Sequence, residues 1–177
     1  WVKDGERITF EIITFPQHPS ATPQAPIVTE QLRRAGFNAS FLLPADFVSR
    51  IQTGSAHAFL WGHGGSMRDP YATLERLYHI KHFRPTGEAA STNYYRWQNQ
   101  ALSDITDQMT SVAEDDPRLK DLFRQAMEIW LPELPDVMLV ETVILLPRNT
   151  TYWTNWPTPD NDYVHEGFWH RTAMLMW

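Results

Sequence analysis

The residues best equipped for chemistry gather in a few stretches. The most informative runs His57-Ala58-Phe59-Leu60-Trp61-Gly62-His63-Gly64-Gly65-Ser66-Met67-Arg68-Asp69-Pro70-Tyr71, where an apolar segment meets a tryptophan and then a glycine-rich turn. A histidine followed by two glycines could point backbone N–H groups at a developing oxyanion. That use needs a nucleophilic serine in a G-x-S-x-G elbow, and the sequence has none. A hydrolase using this loop, with Ser66 as nucleophile, is the alternative of another class. His57, His63, His79 and His82 could be metal ligands, but His79-x-x-His82 is poor zinc spacing and no acidic cluster accompanies it. They read as ordinary surface and loop histidines, so neither catalytic nor metal residues are assigned. No phosphate loop or dinucleotide fingerprint occurs.

The aromatic residues divide into two sets. Phe123, Met127 and Trp130 recur at helical spacing and read as core. Trp61, Trp97, Trp153 and Trp156 instead stand beside Gly, Asn and Thr, at strand ends or in loops. Flat rings next to hydrogen-bonding side chains suit ligands with apolar faces and polar edges, such as sugars, although plain packing also employs such rings. Candidate ligand-binding residues are therefore Trp61, His63, Asp69, Tyr95, Trp97, Trp153, Asn155 and Trp156. Asp69 doubles as a helix cap that can face a ligand cleft.

Positioning these side chains falls to an α/β scaffold. Arg7 to Phe15 alternates, with Ile8, Phe10 and Ile12 on one face, and predicts a strand. Pro16 to Pro26 is a loop ending in a helix entry. The helix that follows carries Ile27, Leu32 and Ala35 and stops at Gly36. Phe37 to Leu43 is a second strand. Pro44 opens a short helix to Gln52, with Asp46 in its first turn, and Ala56 to Leu60 is a third strand. Strand, helix, strand, helix, strand argues for a largely parallel sheet. Trp61 then stands at a strand's carboxyl end, where open α/β sheets hold ligands.

Further on, Asp69-Pro70 starts a helix bearing Leu74, Leu77 and Tyr78, by an Asp cap and a Pro at the first helical position. Lys81 to Asn93 is a polar loop. One helix follows with Leu102, Ile105, Met109 and Val112 on a face. Asp116-Pro117 begins another, with Leu119, Leu122, Phe123, Ala126, Met127 and Trp130, closed by Pro132 and Pro135. Val137 to Leu146 reads as a buried strand. Asn149 to Tyr163 has no period, and Val164 to Trp177 reads as a short amphipathic helix.

Composition bounds the function. The 177 residues carry a net charge of −6, are 42% hydrophobic and hold no cysteine. An acidic chain is a poor partner for nucleic acid or an anionic membrane, and without cysteine there are no disulfides and no Cys-based zinc or redox site. No apolar run approaches the roughly 20 residues that span a bilayer. The opening Trp1-Val2-Lys3-Asp4-Gly5, without Met or signal peptide, suggests a piece of a longer protein.

The order of motifs resembles a known family. Thr29-Glu30-Gln31-Leu32-Arg33-Arg34-Ala35-Gly36-Phe37-Asn38-Ala39 looks like the helix-to-strand step of family 5 extracellular solute-binding proteins, the dipeptide, oligopeptide and nickel type serving ABC importers. Phe47 to Leu60, including Gln52-Thr53-Gly54-Ser55, resembles their next step into a strand, with Ala56-His57 in place of the usual acidic residue. Trp61-Gly62 and Asp69-Pro70-Tyr71 resemble the loop after it, and Leu134-Pro135-Asp136-Val137-Met138-Leu139 a late strand. The likeness runs in order along essentially the whole chain.

It implies a periplasmic-binding-protein-like lobe of type II, with a mostly parallel sheet flanked by helices. Residues 1–147 would form the second lobe of a clamshell, and residues 148–177 a tail whose aromatic loop packs toward the absent first lobe. The implied function is capture of a small solute for a membrane permease, by a periplasmic or extracellular monomer without cofactor. Peptide-binding members carry an aspartate soon after the tryptophan to pair with the peptide's amino terminus. Here Gly62-His63-Gly64-Gly65-Ser66 supplies no carboxylate before Asp69. The aromatic, Asn-rich segment from Asn149 to Asn161 resembles oligosaccharide-binding members, so the expected solute is a short oligosaccharide, with a peptide as the alternative.

Overall fold

A computed structural model describes residues 1–62, 70–113, 115–140, 149–152, 154–158 and 160–161. The chain divides into two compact units, Trp1–Val137 and Met138–Trp177.

The first unit opens with a small hairpin of β1 (Val2–Lys3) and β2 (Glu6–Arg7). Asp4 and Gly5 turn it with positive φ, a geometry that suits two-residue hairpin loops. A parallel three-stranded sheet follows, built from β3 (Thr9–Thr14), β4 (Asn38–Leu42) and β5 (Ala58–Leu60) in the order β4-β3-β5. The expected parallel α/β layout is thus the observed one. Because β3 is central, Ile12, Ile13 and Thr14 are buried in succession instead of alternating.

Helix α1 (Ala21–Arg34) connects β3 to β4 and starts earlier than its prolines suggest. Pro23 lies in the first turn, where no intrahelical donor is lost. Pro26 removes one bond, the one to the Thr22 carbonyl. The face it buries is Ala21, Ala25 and Thr29, spaced by four, while Ile27 is exposed. Small side chains let the helix lie close on the sheet; of the apolar residues at helical spacing, Ile27 and Ala35 are exposed, while Leu32, three residues beyond Thr29, is half-buried. Helix α2 (Phe47–Thr53) ends on Gly54, whose left-handed backbone closes the C-cap. Its Phe47 and Ile51 pack with Ile13 of β3 into one core cluster.

A second cluster is helical. It joins α3 (Pro70–Tyr78), α4 (Gln100–Met109) and α5 (Pro117–Glu133) through Leu74, Leu77, Tyr78, Leu102, Met109, Ala126 and Trp130. Asn99 caps α4 by accepting from the Leu102 N–H at 3.0 Å, and Asp116 caps α5 by accepting from the Arg118 N–H at 2.9 Å. Helix α5 runs past Pro132 and ends at Leu134, which takes a left-handed turn. Phe123, read as core, is 38% exposed, because the buried side of α5 passes through Ala126 and Trp130 instead.

Val137–Val140, expected to begin a buried strand, is exposed coil with no strand partner among the described residues. A strand needs a ladder for its backbone groups, and apolar content alone does not supply one. The remainder of that expected strand, and the expected terminal helix from Val164, lie outside the described residues.

Truncating Leu102, which is fully buried, is expected to cost about 2–5 kcal/mol. Phe123→Ala should cost about 0.5 kcal/mol, as exposed substitutions do. Urea unfolding of the two variants checks this, and equal losses would show that α5 packs on its Phe123 side.

Candidate functional site

The register pairs Ile13 with Phe59 and Thr14 with Leu60, so Phe15 and Trp61 leave adjacent strands side by side at the sheet's carboxyl edge. There they form part of a ring cluster. Phe47 meets Phe15 edge-on at 5.9 Å and Trp61 edge-on at 5.3 Å. Tyr94 lies flat against Trp61, at 5.7 Å and 14° between planes. These are favourable offset and edge-to-face arrangements. Trp61 nonetheless remains 40% exposed, so it is held in place without being covered.

What holds it is the turn Asn93–Trp97. Tyr95 stacks on Phe59 at 5.6 Å and on Tyr78 at 5.5 Å, and so spans the sheet cluster and the helical cluster. Trp97 meets Tyr78 edge-on at 6.1 Å, and its Nε1 donates to Glu133. For both Tyr95 and Trp97, the interactions seen are packing and anchoring within the first unit. The Tyr78 hydroxyl donates to Asp136 at 2.7 Å. Burial foremost, and then the Asp136 carboxylate, push the Tyr78 and Tyr95 phenols far above their ordinary pKa, so both stay protonated.

Arg96 fastens this turn to α2. Its guanidinium donates to the carbonyls of Ile51 at 3.3 Å and Gln52 at 2.5 Å on the last turn of α2, to Glu88 at 3.0 Å and to Tyr94 at 3.3 Å. Carbonyls at a helix C-terminus lack intrahelical donors and attract a cation. Burial lowers the Arg96 pKa, though an arginine remains charged. A Cβ on Gly54 would strike the Arg96 side chain, so glycine is required there for space as well as for φ.

His18 was not among the residues singled out by spacing. It sits half-buried in the loop after β3. Its Nδ1 accepts from the backbone N–H of Ser20 at 3.3 Å and of Ala21 at 3.1 Å, capping α1 where the Ser20 side chain does not. The Cε1–Nε2 edge of the ring lies 3.7 Å from where a Cβ on Gly62 would stand, immediately beyond Trp61. The available signal was a histidine three residues before a helix start, in a loop leaving the same sheet edge.

The other expected residues fall elsewhere. His63 and Asp69 lie outside the described residues, as does Trp153. Asn155 and Trp156 belong to the second unit. Asn155 has φ of 61°, and its Oδ1 accepts from Asn161 at 2.9 Å, while Trp156 Nε1 donates to the Asn149 carbonyl at 3.3 Å. This aromatic segment is thus a loop tied by its own amides.

His79 and His82 are engaged by carboxylates. His79 Nε2 contacts Asp107 at 3.1 Å while Nδ1 accepts from the Lys81 N–H, and His82 Nε2 contacts Glu75 at 2.9 Å. No group of three or more His, Asp or Glu poised for a metal occurs among the described residues.

No protein-family model and no curated protein matches the sequence. Solved structures do match. The mannohexaose-bound periplasmic oligopeptide-binding protein of an ABC transporter from Thermotoga maritima superposes with a TM-score of 0.73 at 19% identity, over 90% of this chain and 30% of that one. The chain has the fold of a part of periplasmic-binding-protein-like structures. NikZ from Campylobacter jejuni, in complex with Ni(L-His), gives a TM-score of 0.63 at 18% identity, over 76% of this chain and 26% of that one. The periplasmic binding protein DppA from Helicobacter pylori, in complex with the peptide STSA, gives 0.61 at 18%, over 73% and 24%. These neighbours are family 5 solute-binding proteins, the group whose motifs the sequence resembles. The chain spans about a quarter to a third of their length.

Two outcomes follow from these contacts. Arg96→Ala should lower stability by about 2–3 kcal/mol in urea unfolding, since it leaves helix-end carbonyls without a charged donor. Arg96→Lys should restore only part, lacking the planar fork. At Glu75, burial raises the carboxyl pKa, but hydrogen bonds from Lys81 and His82 outweigh it and the net pKa is lowered. A lowered carboxyl stabilises the fold above its unfolded pKa and loses that contribution as pH falls through the folded value. Glu75→Gln should therefore flatten the acid limb of the stability curve below about pH 4.5. An unchanged acid limb in thermal melts would show that the cluster is not formed in solution.

Proposed function

We propose that this chain serves as the second lobe and carboxyl-terminal tail of the solute-binding component of an ABC importer. It captures a short oligosaccharide outside the cytoplasm and delivers it to the membrane permease. The observation that carries this reading is Trp61, partly exposed at the carboxyl edge of a parallel sheet and held rigid by Tyr94 and Phe47. Ligands sit at that edge in open α/β sheets, and a fixed indole offers an apolar face to one side of a sugar ring. The neighbour holding mannohexaose supports the saccharide preference, and it covers more of this chain than the peptide- or nickel-bound neighbours.

In this reading Trp61 contacts the solute. Tyr95 and Trp97 hold the platform from behind, while His63 and Asp69 stand close by in sequence. Trp153, Asn155 and Trp156 are further candidate solute contacts by their residue types. No catalytic step is required, because capture and release need only differential affinity between open and closed lobes. The neighbours are binding proteins, and among the described residues no helix is long and apolar enough to cross a membrane. Peptide capture is the competing reading, favoured by the peptide-bound neighbour.

Titration calorimetry on the full-length protein with mannohexaose and with the peptide Ser-Thr-Ser-Ala tests the proposal. Trp61→Ala should weaken saccharide binding by about 2 kcal/mol, as loss of an aromatic anchor does. Binding of the peptide alone would reverse the substrate class. Full saccharide affinity in the Trp61 variant would remove Trp61 from the site.

A further inference from the structure

We propose that His18 is a hydrogen-bond donor of the solute site, offering Nε2–H to a saccharide hydroxyl oxygen held against Trp61. The inference rests on the reading of Trp61 as the solute platform and adds to it the polar group that would orient the solute.

Backbone N–H groups only donate, so the two that approach Nδ1, from Ser20 and Ala21, require a lone pair there. The ring proton must then reside on Nε2. A proton on Nδ1 would face both donors and leave the first turn of α1 without its cap. The cap thus settles the chemistry of the opposite edge of the ring: Nε2–H is a donor, with orientation set by the helix start.

That edge faces outward from its cap. Nε2 has no hydrogen-bond partner among the described residues, and both Nε2 and Cε1 come within 3.7 Å of the Cβ position of Gly62. Glycine there sets no side chain of its own against the imidazole edge, and it adjoins the residue that carries the exposed indole. A donor fixed in direction beside an aromatic face is the pairing that recognises a sugar, with apolar C–H groups on the ring and a hydroxyl oxygen at the edge. An N–H cannot accept from an ammonium, so the same group gives nothing to a peptide's amino terminus.

Three substitutions in the full-length protein separate the cap from the donor. His18→Asn keeps an acceptor for α1 and removes the Nε2 donor. Mannohexaose affinity by calorimetry should fall about tenfold with the melting temperature unchanged. His18→Gln can reach with a donor but lacks the cap, and should melt lower while retaining more of the affinity than His18→Asn. Gly62→Ala places a methyl in van der Waals contact with the imidazole edge and should weaken mannohexaose binding without loss of stability. Independently of any solute, imidazole nitrogen NMR should show His18 protonated at Nε2.

Wild-type affinity in His18→Asn, or a proton found on Nδ1, overturns the inference. If Trp61→Ala loses affinity while His18→Asn does not, the donor role alone fails. If neither variant loses affinity, or wild type does not bind mannohexaose, the saccharide platform itself fails and His18 falls with it.

Discussion

The first unit depends on one cation placed among carbonyls. Arg96 donates to Ile51 and Gln52 at the end of α2, to Glu88, and to Tyr94 beside it. A guanidinium can satisfy several acceptors in one plane, which no other side chain does. The acceptors come from separate stretches, so one residue closes a long polar loop onto a helix end. The backbone agrees: Gly87 N–H donates to the Thr53 carbonyl and Ala90 N–H to the Gln52 carbonyl. With α2 and the loop joined, Tyr94 must lie under Trp61 and Tyr95 must bridge Phe59 and Tyr78.

This arrangement explains how a small sheet can present a large ring to solvent. An exposed tryptophan in a mobile loop would lose rotamer freedom on contact with a ligand, a cost that weakens binding. Here the indole has already lost that freedom on folding, because Tyr94 and Phe47 constrain it. The expense is met by burial elsewhere: Phe47, Ile13 and Ile51 are almost wholly buried beneath it. The helical cluster contributes from the other side through Tyr78, which touches Tyr95, Trp97 and Trp130. Stability and presentation are therefore the same set of contacts.

Polar groups at the sheet edge follow a similar economy. His18 satisfies the N-terminus of α1 with one nitrogen and leaves the other directed toward Gly62. His79 and His82 are used differently, each set against a carboxylate near α3 and α4. Identical side chains acquire distinct roles according to what their two nitrogens meet.

Much of the architecture was legible in local pattern. The three strands of the parallel sheet, Trp61 at a strand's carboxyl end and the Asp116-Pro117 cap all rest on neighbours within a few residues. Period, cap chemistry and glycine stops determine such features directly. Tertiary structure decided what no local window contains. It placed the start of α1 ahead of its prolines, turned Phe123 outward and left Val137–Val140 exposed. It also paired Arg96 with carbonyls of residues 51 and 52, and set His18 beside Gly62. These contacts join segments far apart in the chain. Backbone carbonyls exist at every position, so a sequence cannot say which of them an arginine will meet; only the packed fold selects them.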